Sequence, residues 1–466
     1  MRKFGNREFF AEILRLGLPV AMQGLLTSSL SFIDSLMVGS CGETALAAVG
    51  AAGQFGSLLF GFYWGLCCGG TVFISQYHGI HDENGIRRAY GLTNSCMMFI
   101  AFVFGALACF FPETVMNIYV TDPDVAAMGV KYLRIVGVAY LFQTFSTSLS
   151  SLLSSTEKVK LPLIASIASI ATNTGLNWLL IYGNLGAPQL GVVGAAIASV
   201  AAAVVNAAVL VIVCIKQKNI AVTHINRMYH WSGRFIKEYF IKTSPLLVNE
   251  VMYSLATLVV NIVYGRQGAG NLAAVSIFRT VEGLLFAFFR GLSNAGCVMV
   301  GKRVGAGSLN EAKRYSRWVT LLCPAISFTV CACVVLMRGP LLSLFDISDE
   351  VRLTVTYILT AYMILGPIRH TNYLQVNLFR SGGESRMGMF MEVGGIWLIT
   401  VPMVLLTGML IKAPFIIVFI SSMVEELVKF PIEFKYMLSL KWIKPVTEEG
   451  IRAKAEMEAA RERASC

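Results

Sequence analysis

Charge is scarce in this sequence. Only 14% of its 466 residues are Asp, Glu, Lys or Arg, whereas an ordinary soluble chain carries roughly 25%, and that deficit excludes a soluble globular enzyme. The short patterns of the commoner chemistries are missing as well. There is no HExxH, no GxSxG, no Walker A loop and no DDxxD, so zinc hydrolysis, a serine nucleophile and phosphate cradling all lack their residues. The chain is therefore expected to be no enzyme and to need no cofactor. Its eleven cysteines form neither paired CxxC motifs nor an extracellular framework. Nine of them (Cys67, Cys68, Cys96, Cys109, Cys214, Cys297, Cys323, Cys331, Cys333) lie in or at the ends of apolar stretches, where a free thiol packs as a small hydrophobe. Lys and Arg number 38 against 27 Asp and Glu, a formal charge of +11. A nucleic-acid binder would gather that excess on a soluble face. Here it sits between apolar runs, so no nucleic-acid partner is expected and the excess reports topology.

Hydrocarbon is plentiful: 56% of residues are hydrophobic and the mean hydropathy is +0.66. The apolar runs, of about 20 residues or more, need about 30 Å of hydrocarbon around them. The chain reads as an all-α polytopic membrane protein with the lipid bilayer as its solvent. Breaking the runs at polar, Gly or Pro clusters gives twelve spans, roughly 16–38, 46–77, 89–111, 127–153, 161–183, 190–215, 242–264, 272–301, 317–337, 351–379, 387–409 and 414–437. They are too long for barrel strands, which need only about 10 residues. Leu16–Val38 follows Arg2, Lys3 and Arg7 and is too long for a signal-peptide core, so it stays as the first span.

Basic residues crowd the N-terminus, the 78–88 connection, 154–160, 216–242, 302–317, 380–386 and the C-terminal tail, while the alternate connections hold only Arg266, Arg338 and Lys412. By the positive-inside rule the first set is cytoplasmic. A multi-pass protein of the plasma or inner membrane with both termini inside is expected. Asp122-Pro123-Asp124 then lies in an outer loop as a turn.

The sequence also repeats. Pro19 and Pro245 each open a span, and Leu46-Ala47-Ala48-Val49 recurs as Leu272-Ala273-Ala274-Val275, both at an offset of 226. The same offset aligns Gly39 with Gly265, Gly79 with Gly305, Arg87-Arg88 with Lys313-Arg314, and Ser155 with Ser381. Six spans per copy is an even number, so the copies are parallel repeats. The expected organisation is an N-lobe (1–215), a basic cytoplasmic linker (216–241), a C-lobe (242–440) and a cytoplasmic tail (441–466). In the tail, Thr447–Ser465 reads as a solvated helix or as disorder. Two six-helix lobes suit alternating access around a central site. A duplicated scaffold without transport is the competing reading, although it offers no reason for an acid inside the first span.

Specific residues carry a family resemblance. Phe32-Ile33-Asp34-Ser35-Leu36-Met37-Val38-Gly39 with Leu46-Ala47-Ala48-Val49-Gly50 resembles the first-helix signature of the multidrug and toxic compound extrusion (MATE) transporters. Asn177-Trp178-Leu179-Leu180-Ile181-Tyr182-Gly183, then Gly186-Ala187-Pro188 and Gly191–Ser199, resembles that family's fifth-to-sixth-helix segment, and Phe379-Arg380-Ser381-Gly382-Gly383-Glu384 the connection after its tenth helix. The resemblance covers roughly 11–440. It implies V-shaped lobes and export of drugs or other organic, cationic solutes in exchange for Na⁺ or H⁺ by a monomer. A lipid-linked precursor flippase of the same superfamily is the alternative. Pro367-Ile368-Arg369-His370-Thr371-Asn372 lacks the tenth-helix acid of NorM-like members, which points to the DinF-like branch. In that branch the resemblance places Asn177 where an acid usually stands, Asn173 at an Asn, and Ser199 at a Thr.

Asp34 is the only ionisable residue in Leu16–Val38, and an intramembrane carboxylate is a functional hypothesis by default. At 1.5 Å per residue Asp34 lies about 6 Å, Asn177 about 9 Å and Ser199 about 14 Å from the outer ends of their helices. Asn173 and Asn177 share a helix face. Together these four form the expected ion-coupling layer. Its amide and hydroxyl oxygens suit Na⁺ at Asp34, Asn173 and Asn177, while the lone acid permits a proton instead. In the second half, offset 226 from Asp34 lands on Val260. A separate charge network is expected there from Glu250, Arg279, Glu282 and Arg369, with Arg279 and Glu282 three residues apart and able to neutralise each other. Tyr63, Tyr140, Gln143 and Tyr253 are candidate walls of a substrate cavity.

Overall fold

The computed structural model describes residues 5–120, 122–220, 223–343 and 347–465, and every regular element among them is helical. The first half runs α1 (Arg7–Gly39), α2 (Glu43–Gly79), α3 (Glu83–Phe110), α4 (Pro112–Tyr119), α5 (Pro123–Ser155), α6 (Lys160–Tyr182) and α7 (Val192–Lys216). The second runs α8 (Gly233–Arg266), α9 (Ala269–Gly305), α10 (Leu309–Leu336), α11 (Arg338–Leu342), α12 (Asp349–Ser381), α13 (Arg386–Leu410), α14 (Phe415–Ser421) and α15 (Val424–Ser439), followed by the tail helix α16 (Glu448–Ser465). Eleven of these helices are long and apolar enough to cross a membrane.

The duplication is written into the helix boundaries. α1 to α6 start at 7, 43, 83, 112, 123 and 160, and α8 to α13 at 233, 269, 309, 338, 349 and 386. Every start is displaced by 226. Caps repeat too. Asp122 accepts from the amides of Asp124 and Val125 at the head of α5, with Pro123 in the first turn, and Ser348 accepts from Val351 at the head of α12. A short acceptor before the first turn satisfies amides the helix leaves orphaned. Asp122-Pro123-Asp124 is thus a helix start.

Two departures from the repeat mark the second half. α13 contains π-helical turns at Ile396–Thr400 and Leu406–Leu410. The stretch 414–437, expected as one span, is built as two helices. Ser421 Oγ and Ser422 Oγ donate back to the carbonyls of Val418 and Phe419, and Thr400 Oγ1 donates to the Ser422 carbonyl. Such back-bonding competes with the helical ladder and breaks it at a serine pair. The segment beyond is charged as well as apolar, with Glu425, Glu426, Lys429, Glu433 and Lys435 in α15.

Two compact units emerge from the packing: one made of 1–21, 75–80 and 241–466, the other of 22–74 and 81–240. Inside the first, α1 meets α9 through glycine. A Cβ on Gly291 would sit 2.5 Å from the Gly17 carbonyl oxygen and 2.7 Å from the Ala21 Cβ. Close backbone approach of this kind is how membrane helices gain packing where no hydrophobic drive separates lipid from side chain. Glu12 then ties the same pair of helices, to Lys302 at 2.5 Å and Arg303 at 3.1 Å. Gly291→Val is expected to force α1 and α9 apart at a cost of about 1–3 kcal/mol. Its apparent melting temperature in detergent should fall, and a Gly291→Val protein as stable as wild type would sink the packing argument. In the tail, Thr447 Oγ1 donates to the Gly305 carbonyl at 2.6 Å and accepts from the Gly450 amide, so α16 starts docked on the end of α9.

Candidate functional site

In the 22–74 and 81–240 unit, four helices converge on one acid. α1 supplies Asp34, α5 Tyr132, α6 Asn173 and Asn177, and α7 Ser199. The Asn177 amide nitrogen donates to Asp34 Oδ1 at 2.7 Å and to Asn173 Oδ1 at 3.0 Å. Both asparagines are buried, and Asp34 is half-buried. One turn beyond the acid, Val38 packs with Ala45, Ile181, Val192 and Ala195, an apolar cluster that fixes α1 against α6 and α7. The acid itself opens on a cleft of about 180 Å³ whose only charged wall among the described residues is Asp34. Ser35, Tyr132, Asn177 and Ser199 are its other oxygen-bearing walls. The Asn177 amide oxygen is buried without a hydrogen-bond partner among the described residues, and such an orphaned acceptor calls for a ligand or a water.

The arrangement brings Asp34, Asn173, Asn177 and Ser199 together, with Asn173 one step removed. Asn173 lends its oxygen to Asn177 and does not line the cleft. Tyr132 and Ser35 were missed by sequence reasoning. Ser35 adjoins the acid, while Tyr132 is an uncharged residue on another helix and carries no spacing signal.

The 241–466 unit holds a larger network, wired differently from the one expected. Glu282 pairs with Arg369 at 2.8 Å, and Arg279 donates to Asn261 at 2.7 Å. The Arg279–Glu282 neutralisation expected from i,i+3 spacing is therefore replaced by a longer-range pair, because the Arg369 guanidinium lies over the Phe286 ring and can hold a carboxylate from α9. Arg369 also reaches Glu426 at 4.0 Å and the Tyr253 hydroxyl at 3.4 Å. Lys429 sits between Glu425 (3.2 Å) and Glu426 (3.3 Å), and Asn372 donates to Glu426 at 2.8 Å. Glu250 stands apart from this centre, beside the Arg380–Glu392 pair (2.6 Å). Lys429, Glu392 and Glu433 were not singled out from sequence, although 425, 429 and 433 at spacing four were visible as one face of a helix.

The expected substrate walls scatter. Tyr140 is 4% exposed and packs at a tilt to Phe55 in the core of its unit. Tyr63 is half-buried against the same cluster, Gln143 is exposed, and Tyr253 belongs to the Arg369 network of the other unit.

Comparison with known proteins gives the family. The MatE family model matches residues 19–179 and 245–406, two stretches whose starts are again 226 apart. The uncharacterized transporter YisQ of Bacillus subtilis is 21% identical over 427 residues, covering 91% of this chain and 93% of that protein. A probable multidrug resistance protein NorM of Streptococcus pneumoniae is 23% identical over 401 residues, covering 85% and 87%. Among solved structures, an aspartate-to-asparagine mutant of the Vibrio cholerae MATE transporter VcmN superposes with a TM-score of 0.84 at 15% identity, over 94% of this chain and 98% of that one. With the model matched over well more than half its length, in two copies, the chain belongs to the MatE family and is a multi-pass membrane transporter, not an enzyme.

Proposed function

We propose that the chain is a secondary active exporter that moves organic, preferentially cationic solutes out of the cell in exchange for Na⁺ bound at Asp34. The observation that carries this reading is the cleft in which Asp34 is, among the described residues, the only charged wall beside hydroxyl and amide oxygens. A hard monovalent cation takes oxygen ligands, and Asp34, Ser199, Tyr132 and the orphaned oxygen of Asn177 are the residues that would supply them. The NorM relative is named for probable multidrug resistance, which export of drugs would confer, and the carboxylates of the 241–466 unit suit a cationic cargo.

A proton in place of Na⁺ is the second reading, favoured by the presence of one carboxylate rather than two. The two six-helix repeats, 1–215 and 242–440, serve as the lobes of alternating access. The basic loops support a reading with both termini on the cytoplasmic side of the cell membrane, and the DinF-like motif pattern supports coupling in the first repeat. Inverted membrane vesicles bearing the protein test this directly. Ethidium accumulation is expected when a Na⁺ gradient alone is imposed and to be weaker under a pH gradient alone. Accumulation under neither gradient would end the exporter reading.

A further inference from the structure

We infer that Glu433 holds a proton in the resting protein, giving the 241–466 unit a proton-holding site distinct from the Asp34 cleft. Glu433 is 0% exposed, and neither of its carboxyl oxygens has a hydrogen-bond partner among the described residues. Its charged neighbours are Glu425, Glu426 and Lys429 on its own helix α15, and Glu392 on α13. From α12, which packs on α15, come Arg369 and Arg380, and Glu250 of α8 stands beside Arg380 and Glu392.

Every cation in this set is already engaged. Lys429 holds Glu425 and Glu426 at 3.2 and 3.3 Å, Arg380 holds Glu392 at 2.6 Å, and Arg369 holds Glu282 at 2.8 Å. An ionised Glu433 would be an undonated charge buried beside three carboxylates and one ammonium that two of those carboxylates already hold, a costly state for a side chain. One proton removes that cost. A metal ion is the poorer solution, because the Lys429 ammonium already occupies the centre of the carboxylates, and the described residues contain no group of three or more His, Cys, Asp or Glu side chains able to hold one.

Glu425, Lys429 and Glu433 at i, i+4 and i+8 line one face of α15. The site stands whether Asp34 takes Na⁺ or H⁺.

The test is the infrared difference spectrum of the full-length protein in lipid nanodiscs at pH 7, wild type minus Glu433→Gln. The glutamine matches the protonated acid in size, so the fold is expected to persist. The expected result is a protonated-carboxyl C=O band present in wild type, lost in Glu433→Gln and kept in Asp34→Asn. If Glu433→Gln does not fold, Glu433→Asp should move the same band in frequency. A band unchanged in the Glu433 variants overturns the inference, as does a wild-type spectrum in which Glu433 contributes only carboxylate absorption in either Na⁺ or choline buffer.

Discussion

Asp34→Asn is expected to abolish gradient-driven export while leaving the protein folded and inserted. The amide has the size of the carboxylate and keeps a hydrogen-bonding oxygen for the Asn177 nitrogen, now 2.7 Å from Asp34 Oδ1. Stability should therefore change by no more than about 1 kcal/mol. What disappears is the one charge that the described residues turn to the cleft. An exchanger converts an ion gradient into solute flux only through the difference in ion affinity between its states, so a transporter that binds no ion in either state has nothing to couple. Efflux should drop to the level of vesicles lacking the protein, a loss much larger than any effect on expression. Normal efflux by a well-folded Asp34→Asn protein would move the coupling site, with Glu250 and Glu282 the first places to look. The two are separable, since Glu282 is held by Arg369 and Glu250 stands beside Arg380–Glu392.

That site was legible in sequence to an uneven degree, for physical reasons. Asp34 announces itself because a carboxylate in a long apolar run is costly to keep there without a function or a partner. Asn177 and Ser199 came from the family resemblance, and depth along their helices agreed with it, since rise per residue is fixed whatever the packing. The repeat was legible for the same kind of reason, since a constant offset survives any change of side chain. It carries down to individual contacts. Gln23 donates to Ser166 at 3.0 Å in one unit, and their counterparts at offset 226, Asn249 and Glu392, form the same bond at 2.6 Å in the other.

Partner choice was not legible. The i,i+3 spacing of Arg279 and Glu282 says only that they can meet, whereas the Arg369–Glu282 pair depends on how α9 and α12 pack, which no local pattern encodes. Tyr140 shows the same limit. An aromatic on a membrane helix reads alike whether it faces a cavity or Phe55. The break after Ser421 needed serine side chains to be seen turning back on their own carbonyls, and hydropathy averaged over a window hides that.

Asn177→Asp is expected to tighten Na⁺ binding about tenfold or more, because a second anionic oxygen at the same place adds charge to a hard-cation site. The position is suited to it. Asn177 is 1% exposed, its nitrogen already touches Asp34, and its own oxygen lacks a partner. The substitution exchanges a donor to Asp34 for a second acceptor, leaving two carboxylates that an ion must bridge. Without the ion, they repel at hydrogen-bond distance. The variant should therefore lose thermal stability in choline buffer and regain it as Na⁺ is added, with half-recovery at a lower Na⁺ concentration than half-maximal efflux requires in wild type. A proton-coupled cleft would respond differently. The pair would share one proton, the pH profile of efflux would move upward, and Na⁺ would change neither stability nor transport. Efflux that follows the pH gradient and ignores Na⁺ in both proteins would assign the coupling ion as H⁺ and leave Asn177 as the residue that orients Asp34.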